Sequence, residues 1–140
     1  MKLGILISSL AALSIVGAGA NGRASPSAQT VDAVARGRYI VEGVAVCGTC
    51  HTSRDSLGAP DRSRWLLGGP IAYESTASAA NWAEIAPRLA GSPPGTDDQF
   101  IRLMMTGISR TGNQPRPPMP QFRMSRSDAE SVLAYLKSLQ

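Results

Sequence analysis

Histidine, cysteine and large aromatic side chains are scarce in this sequence. The chain of 140 residues has one histidine and two cysteines, and aromatic residues make up 5% of it. A single histidine excludes any site that takes two histidine ligands from one chain. So few large side chains predict a thin hydrophobic core, which a bulky cofactor would have to complete. The length fits one domain and excludes a large multidomain enzyme.

Several sequence signals are also missing. There is no glycine-rich phosphate loop, no internal repeat, no strand-like alternation of useful length and no basic run. Nothing therefore indicates nucleotide or nucleic-acid binding. The 14 Lys and Arg against 10 Asp and Glu leave a formal net charge of +4, and 14 glycines with 10 prolines indicate a fold rich in loops.

The N-terminus has the pattern of a secretory signal. Lys2 precedes an apolar stretch over residues 3–16, and Ala18-Gly19-Ala20 has the small residues of a cleavage site. The alternative is an uncleaved membrane anchor, but the apolar stretch is shorter than the ~20 residues that a spanning helix needs. We therefore expect residues 1–20 to be a cleaved signal, with no stable membrane span afterwards. Export to the periplasm would place both cysteines in an oxidising compartment.

The rest of the chain divides into a leader and one domain. Residues 21–29 predict a flexible leader, and residues 30–140 predict the domain, which begins with a helix over 30–43. A long loop is expected over 54–80, followed by one turn of helix over 82–86. Loops of this length in small domains are usually functional or wrapped around something.

Two more helices are expected in the second half of the domain. Thr96-Asp97-Asp98-Gln99 predicts a capping box, and the helix that it opens should end at Gly107. A second long, proline-rich loop covers 107–122. Ser125 then opens the last helix, which carries an apolar stripe. These patterns predict an all-α fold with three main helices and two long loops.

The two cysteines and the histidine stand together in Cys47-Gly48-Thr49-Cys50-His51. Two thiols three residues apart on a tight turn can reach two vinyl groups on one edge of a porphyrin, and the adjacent imidazole then lies under the iron. The alternatives are a thioredoxin-like redox pair, a zinc site and a lone disulfide, but the first lacks a βαβ context and the second has only three ligands. The motif therefore predicts one covalent haem c per chain, attached through Cys47 and Cys50, with His51 as an iron ligand.

Residues 33–140 resemble a monohaem class I cytochrome c. The likeness begins at residues 35–39, continues through the Cys-Gly-Thr-Cys-His motif and ends in Pro117-Pro118-Met119-Pro120 and Ala134-Tyr135-Leu136-Lys137. The chain is more narrowly similar to cytochrome domains that serve periplasmic dehydrogenases. The resemblance implies a fold in which helices and loops surround one haem, with a crossing of the first and last helices where Gly37 allows the close approach of Tyr135 or Leu136.

A methionine is the remaining soft ligand for the iron, because His51 is the only histidine. Met104 and Met105 lie at apolar positions of a predicted helix, where a core role is expected. Met119 has no helical face to fill and lies among prolines, which reduce the entropy lost when a loop is held in place. The family also places its ligand in a Met-Pro setting, so we predict Met119 as the second axial ligand, with Met124 as the alternative.

Other pocket residues follow from the resemblance. In the family, a backbone carbonyl near a loop proline accepts from the histidine ring, and Pro60 and Pro70 are the candidates here. Large side chains with polar ring atoms suit the wall of a haem pocket and a bond to a propionate. The candidates are Trp65, Tyr73 and Trp82.

The predicted function is one-electron transfer without catalysis. With His51 and Met119 both on the iron, no position is open for a substrate. The expected donor is a periplasmic dehydrogenase, of which the chain could be a subunit, and the acceptor is a respiratory oxidase or another cytochrome. The alternative is a haem peroxidase or gas sensor with an open sixth position, although no second histidine is available for distal catalysis.

Overall fold

A computed structural model of the chain describes residues 26–75 and 81–139. The predicted signal over residues 1–20 lies outside these residues. The described elements are four α-helices, one π-helical turn, one 3₁₀ turn and two short strands. In chain order they are α1 (Pro26–Tyr39), the π-helical turn (Ile40–Val44), α2 (Gly48–His51), the 3₁₀ turn (Arg62–Arg64), β1 (Gly69–Pro70), β2 (Ile85–Ala86), α3 (Asp97–Thr106) and α4 (Arg126–Ser138).

The first helix begins earlier than predicted. Helix α1 starts at Pro26 rather than Thr30, so residues 26–29 of the expected leader are helical. Proline suits the first turn of a helix, where its missing N–H has no partner to lose. The helix then continues into the π-helical turn, which ends at Val44, one residue after the predicted Gly43.

The ends of α3 and α4 confirm the capping predictions. The Thr96 hydroxyl accepts from the Gln99 backbone N–H, and the Gln99 side chain accepts from the Thr96 N–H. Helix α3 ends at Gly107, whose φ of 68° lies in the left-handed region that glycine tolerates. At the start of α4, the Ser125 hydroxyl accepts from the Asp128 N–H. Local sequence rules therefore set three of the four ends.

Helices α1 and α4 cross in close contact at Gly37, as the resemblance implied. A Cβ at Gly37 would overlap the carbonyl oxygen of Ser131 and lie 2.8 Å from the Cβ of Tyr135. The Tyr135 hydroxyl donates to Glu42 at 2.6 Å, and Arg36 pairs with Asp128 at 2.9 Å. Only a residue without a side chain allows this approach.

The core lies beneath this crossing and receives residues from α3, α4 and the loop after α2. Helix α4 buries the predicted stripe, and α3 adds three buried side chains. The largest buried apolar members are Ile40, Val41, Leu66, Leu89, Phe100, Ile101, Met104, Val132, Leu133, Tyr135 and Leu136. This cluster contains one phenylalanine and one tyrosine, so the aromatic content of the core is low, as the composition predicted.

The predicted helical turn over residues 82–86 is wrong. Ile85 and Ala86 form strand β2, which pairs antiparallel with β1 in the register Gly69 to Ala86 and Pro70 to Ile85. The reason is local, because Pro87 disfavours the helical conformation at Ala86 and Ile85 is β-branched. The fold is therefore mostly helical with a small strand pair, rather than strictly all-α.

None of the helices within residues 26–75 and 81–139 has the length and apolar character needed to cross a membrane.

The helix crossing provides a stability test. We expect Gly37→Ala to lower the free energy of unfolding by about 1–3 kcal/mol, because the added methyl forces two packed helices apart. Gly43→Ala is the matched control, since its Cβ would meet only the Tyr39 ring at 3.8 Å. Denaturant unfolding of the haem-loaded protein measures both. Equal stability of the two variants would contradict the close crossing.

Candidate functional site

Helix α2 is a single turn that carries the two thiols and the imidazole. Cys47 is its N-cap, and the His51 N–H donates to the Cys47 carbonyl at 2.9 Å. The preceding Val46 has a φ of 44°, which a β-branched residue rarely adopts. The Cys47 N–H donates to the Val41 carbonyl at 3.0 Å, so the π-helical turn holds this conformation. The geometry places all three groups of the motif on one rigid turn.

His51 is buried and oriented by one hydrogen bond. The residue is only 7% exposed, and its Nδ1 lies 2.8 Å from the Pro87 carbonyl oxygen. A carbonyl can only accept, so Nδ1 carries the proton and Nε2 keeps a free lone pair. Burial lowers the pKa of His51, against the opposing effect of the Pro87 bond. The ring is therefore the neutral imidazole that binds metals.

The sequence suggested Pro60 or Pro70 as the residue whose carbonyl accepts from the His51 ring, and both suggestions are wrong. The acceptor is Pro87, which directly follows β2. Sequence position alone favoured prolines near the motif, whereas the pairing of β1 with β2 brings a later proline to the ring. The His51 carbonyl also accepts from Gly68 at 2.8 Å, so the same strand pair braces the backbone of the motif.

Neither cysteine is in a disulfide, and burial disfavours the thiolate form of both in the chain before haem is attached. Burial raises the pKa of Cys47 to about 11. It also raises the pKa of Cys50, where the charge of Arg54 acts in the opposite direction. A redox-active pair needs a lowered pKa on its attacking thiol, so these values argue against a thioredoxin-like role. Among the residues that the structure describes, no group of three or more His, Cys, Asp or Glu is arranged to hold a metal ion.

Trp65 packs directly on the motif. A Cβ at Gly48 would overlap the Trp65 ring. The Arg62 guanidinium stacks over the same indole, with its central carbon 4.1 Å from the ring centroid. The indole Nε1 is buried and makes no hydrogen bond to the described residues. Its neighbour, the Tyr135 hydroxyl, donates to Glu42 and has an oxygen that could accept from the indole, but the two groups do not meet hydrogen-bond geometry. A buried donor without a partner fits an acceptor supplied by a bound group, such as a carboxylate.

Arg54 offers a second buried donor beside the motif. Its terminal nitrogens donate to the carbonyls of Thr49 and Gly58 and to the Tyr73 hydroxyl, at 3.0 to 3.1 Å. Its Nε is buried and has no partner among the described residues. Arg54 therefore ties α2 to the loop that follows, and one of its donors still requires an acceptor. The sequence gives no reason to place Arg54 in the pocket, because arginines at the protein surface are common.

Of the three predicted pocket aromatics, Trp82 has its donor in use. The Trp82 Nε1 donates to the Tyr73 carbonyl at 3.1 Å, whereas the Tyr73 hydroxyl accepts from Arg54 and keeps its own O–H to donate. Trp82 therefore uses its polar atom to brace the loop, and a bond from Trp82 to a propionate is not favoured. Trp65, whose donor is buried, and the more exposed Tyr73 both still fit that role.

The methionines occupy distinct environments. Met104 is 4% exposed in the core, and the Met124 N–H donates to the Met104 carbonyl at 3.0 Å, which fixes Met124 against α3. Met119 is half-buried in the proline-rich loop and packs against the core. It also lines a groove of about 630 Å³ between this loop and Asn81. Met119 and Met124 both lie on the loop between α3 and α4, and the prediction of Met119 as the second iron ligand stays a prediction.

The comparisons with known proteins agree with this site. The family model described as Cytochrome c matches residues 34–140. The chain belongs to the cytochrome c family. The match contains α2, the groups around it and the methionines Met104, Met119 and Met124.

Three relatives extend the comparison. A protein named diheme cytochrome c-type from Cereibacter sphaeroides is 66% identical over 35 residues, covering 25% of this chain and 12% of that protein. The fructose dehydrogenase cytochrome subunit of Gluconobacter japonicus is 29% identical over 114 residues, covering 74% of this chain and 21% of the relative. The cytochrome c subunit of the quinone alcohol dehydrogenase of Gluconacetobacter polyoxogenes is 35% identical over 69 residues, covering 49% and 14%. The chain spans less than a quarter of each relative.

Family membership and the motif together define the cofactor. The protein carries haem c, covalently bound through Cys47 and Cys50. The described residues fit this group, because both thiols are free on one turn and the buried donors of Trp65 and Arg54 need acceptors. Cytochrome c domains transfer electrons.

Covalent attachment predicts a mass and an extraction result. The mature protein should exceed its apoprotein mass by one haem, because the motif occurs once. Acidified organic solvent should leave the porphyrin on the wild-type chain and remove it from a Cys47→Ser, Cys50→Ser double variant. Mass spectrometry under denaturing conditions measures both. Loss of porphyrin from the wild type would contradict the assignment.

Proposed function

We propose that this protein is a periplasmic one-electron carrier with His51 and Met119 as axial iron ligands. It takes electrons from a dehydrogenase and passes them to a respiratory oxidase or another cytochrome. The observation that carries the proposal is His51, which is buried, neutral and oriented by the Pro87 carbonyl so that Nε2 is left free. The predicted signal over residues 1–20 supports a periplasmic location.

Residues of this chain fix the position of the haem and of its histidine ligand. The haem supplies the exchange of a single electron at its iron. Cys47 and Cys50 fix its position through two thioethers, and Pro87 fixes the rotation of the His51 ring. Trp65 and Arg54 supply buried donors for negative charge at the haem. These contacts restrict movement between the two redox states.

Met119 is the favoured second ligand on two grounds. Met104 is buried in the core, and Met124 is held by its backbone to α3, whereas the backbone of Met119, among the described residues, bonds only within its own proline-rich loop, to Arg116. A thioether ligand also raises the reduction potential relative to a second histidine. With both axial positions filled, the protein has no open site for peroxide or a gas, which favours a carrier over a peroxidase or sensor.

A dehydrogenase donor is supported by the relatives and by surface charge. Two of the three relatives are named as subunits of dehydrogenases. The loop from Gly107 to Arg123 carries three arginines and no acidic residue. A basic surface beside Met119 would orient this face toward an acidic surface on the donor.

Replacement of the proposed ligand gives a direct test. Met119→Ala should convert low-spin iron to high spin or to an exchangeable ligand and lower the reduction potential, because the thioether stabilises the ferrous state. Met124→Ala is the control and should leave the spectrum unchanged. Visible spectra and potentiometry measure the difference. The reverse pattern would assign the ligand to Met124, and rapid carbon monoxide binding to the reduced wild type would favour the sensor.

The proposed docking charge predicts a salt effect. Second-order reduction by the donor should slow as the Debye length shortens from ~30 Å at 0.01 M to ~8 Å at 0.15 M salt. Arg110→Gln should slow the reaction at low salt only. The matched control is Lys137→Gln, which removes the same charge from α4, where Lys137 pairs with Asp97. A rate that is flat across this range in stopped-flow measurements would sink the electrostatic part of the proposal.

A further inference from the structure

One short segment contacts both His51 and the loop that carries Met119. We call residues 81–87 the bridging segment. At its end, the Pro87 carbonyl accepts from the His51 ring at 2.8 Å. Nearer its start, the Ala83 N–H donates to the Pro117 carbonyl at 2.7 Å, two residues before Met119. Both sides of the haem site are therefore attached to the same stretch of backbone.

Arg116 provides the strongest link between the Met119 loop and this segment. Its Nε donates to the Asn81 carbonyl at 2.9 Å, and a terminal nitrogen donates to the Trp82 carbonyl. The Arg116 carbonyl in turn accepts from the Met119 N–H at 3.2 Å. Arg116 is thus hydrogen-bonded to the bridging segment through its side chain and to Met119 through its backbone carbonyl. Hydrogen bonds from a charged donor are stronger than neutral ones.

The bridging segment is a fixed support for this grip. Two of its residues form β2, paired with β1, and the Glu84 carbonyl accepts from the Ile71 N–H at 2.8 Å. The Trp82 indole donates to the Tyr73 carbonyl at 3.1 Å. The loop that carries Met119 has, by contrast, no regular secondary structure between Gly107 and Arg126. The segment can therefore position the loop, rather than the reverse.

We propose that Arg116 is a positioning residue that keeps Met119 at the iron. The inference rests on the proposed His51 and Met119 ligation. Without the guanidinium, one backbone hydrogen bond, from Ala83 to Pro117, still links loop and segment, and the loop opens more often. An external ligand binds only to the open form, so its apparent affinity rises in proportion to the open fraction.

The test uses imidazole binding to the oxidised, haem-loaded protein. Arg116→Gln should tighten the apparent affinity about tenfold, the change expected for the loss of two charge-assisted bonds at an exposed position. Arg116→Lys keeps a charged donor without the two-pronged geometry and should give an intermediate value. The control is Arg102→Gln, because Arg102 is also exposed and bonds the same loop, but at Ser109 and at 2.9 Å. It should bind imidazole as the wild type does.

A double variant separates positioning from general loosening. In Met119→Ala, Arg116→Gln should have no further effect on imidazole affinity, because there is no thioether left to displace. An undiminished effect in that background would overturn the inference, as would equal behaviour of Arg116→Gln and Arg102→Gln.

The absorption band of the iron–thioether bond distinguishes a failure of the proposed Met119 ligation from a failure of the proposed role of Arg116. A wild type that lacks the band would contradict Met119 ligation itself, and the inference with it. A wild type that has the band, with imidazole affinity unchanged in Arg116→Gln, would contradict the role of Arg116 alone.

Discussion

The pairing of β1 with β2 is the contact on which the haem site depends. It involves two residues on each strand, yet it returns the chain across the motif and places Pro87 against the His51 ring. The same pairing sets the direction of the residues just before β2, where Ala83 meets Pro117. A longer sheet is unnecessary, because side-chain bonds from Trp82 and Arg54 brace the loop on either side. The main role of the two short strands is therefore to position the residues that orient His51, and their contribution to stability is small.

The haem completes the core as well as supplying the chemistry. Buried donors on Trp65 and Arg54 lack protein partners among the described residues, and an unsatisfied buried donor costs about 1–3 kcal/mol. A haem whose polar groups accept from these donors offsets this cost, and a ligand bound only by the folded state stabilises that state. The low aromatic content of the chain is then no weakness, since the porphyrin replaces the missing ring area.

Local rules predicted what depends on neighbours in sequence. The capping box at Thr96, the left-handed Gly107 and the helix start at Ser125 each involve residues within a few positions of one another. The motif around Cys47 is likewise local, and family resemblance supplied the crossing at Gly37. Pairings between distant segments were missed. The bond from His51 to Pro87 spans 36 residues, and the bonds of Arg116 span 34 and 35.

No sequence pattern near His51 or Arg116 indicates which distant residue it bonds. The erroneous helical turn over 82–86 also has a local cause in Pro87 and the β-branched Ile85, and the pairing with the distant β1 then completes the strand. Periodicity is also a weak guide in segments of two residues.

All the groups that the site needs come from one stretch of chain. The two cysteines, the oriented imidazole, the buried donors and the proposed methionine ligand lie between Cys47 and Met119, in the stretch between the packed helices α1 and α4. Such a stretch is a compact unit for binding haem. This explains how similar sequence recurs in relatives of which the chain spans only 12 to 21%. A unit of this kind suits different protein surroundings, because the groups that hold its haem lie close together in one stretch of sequence.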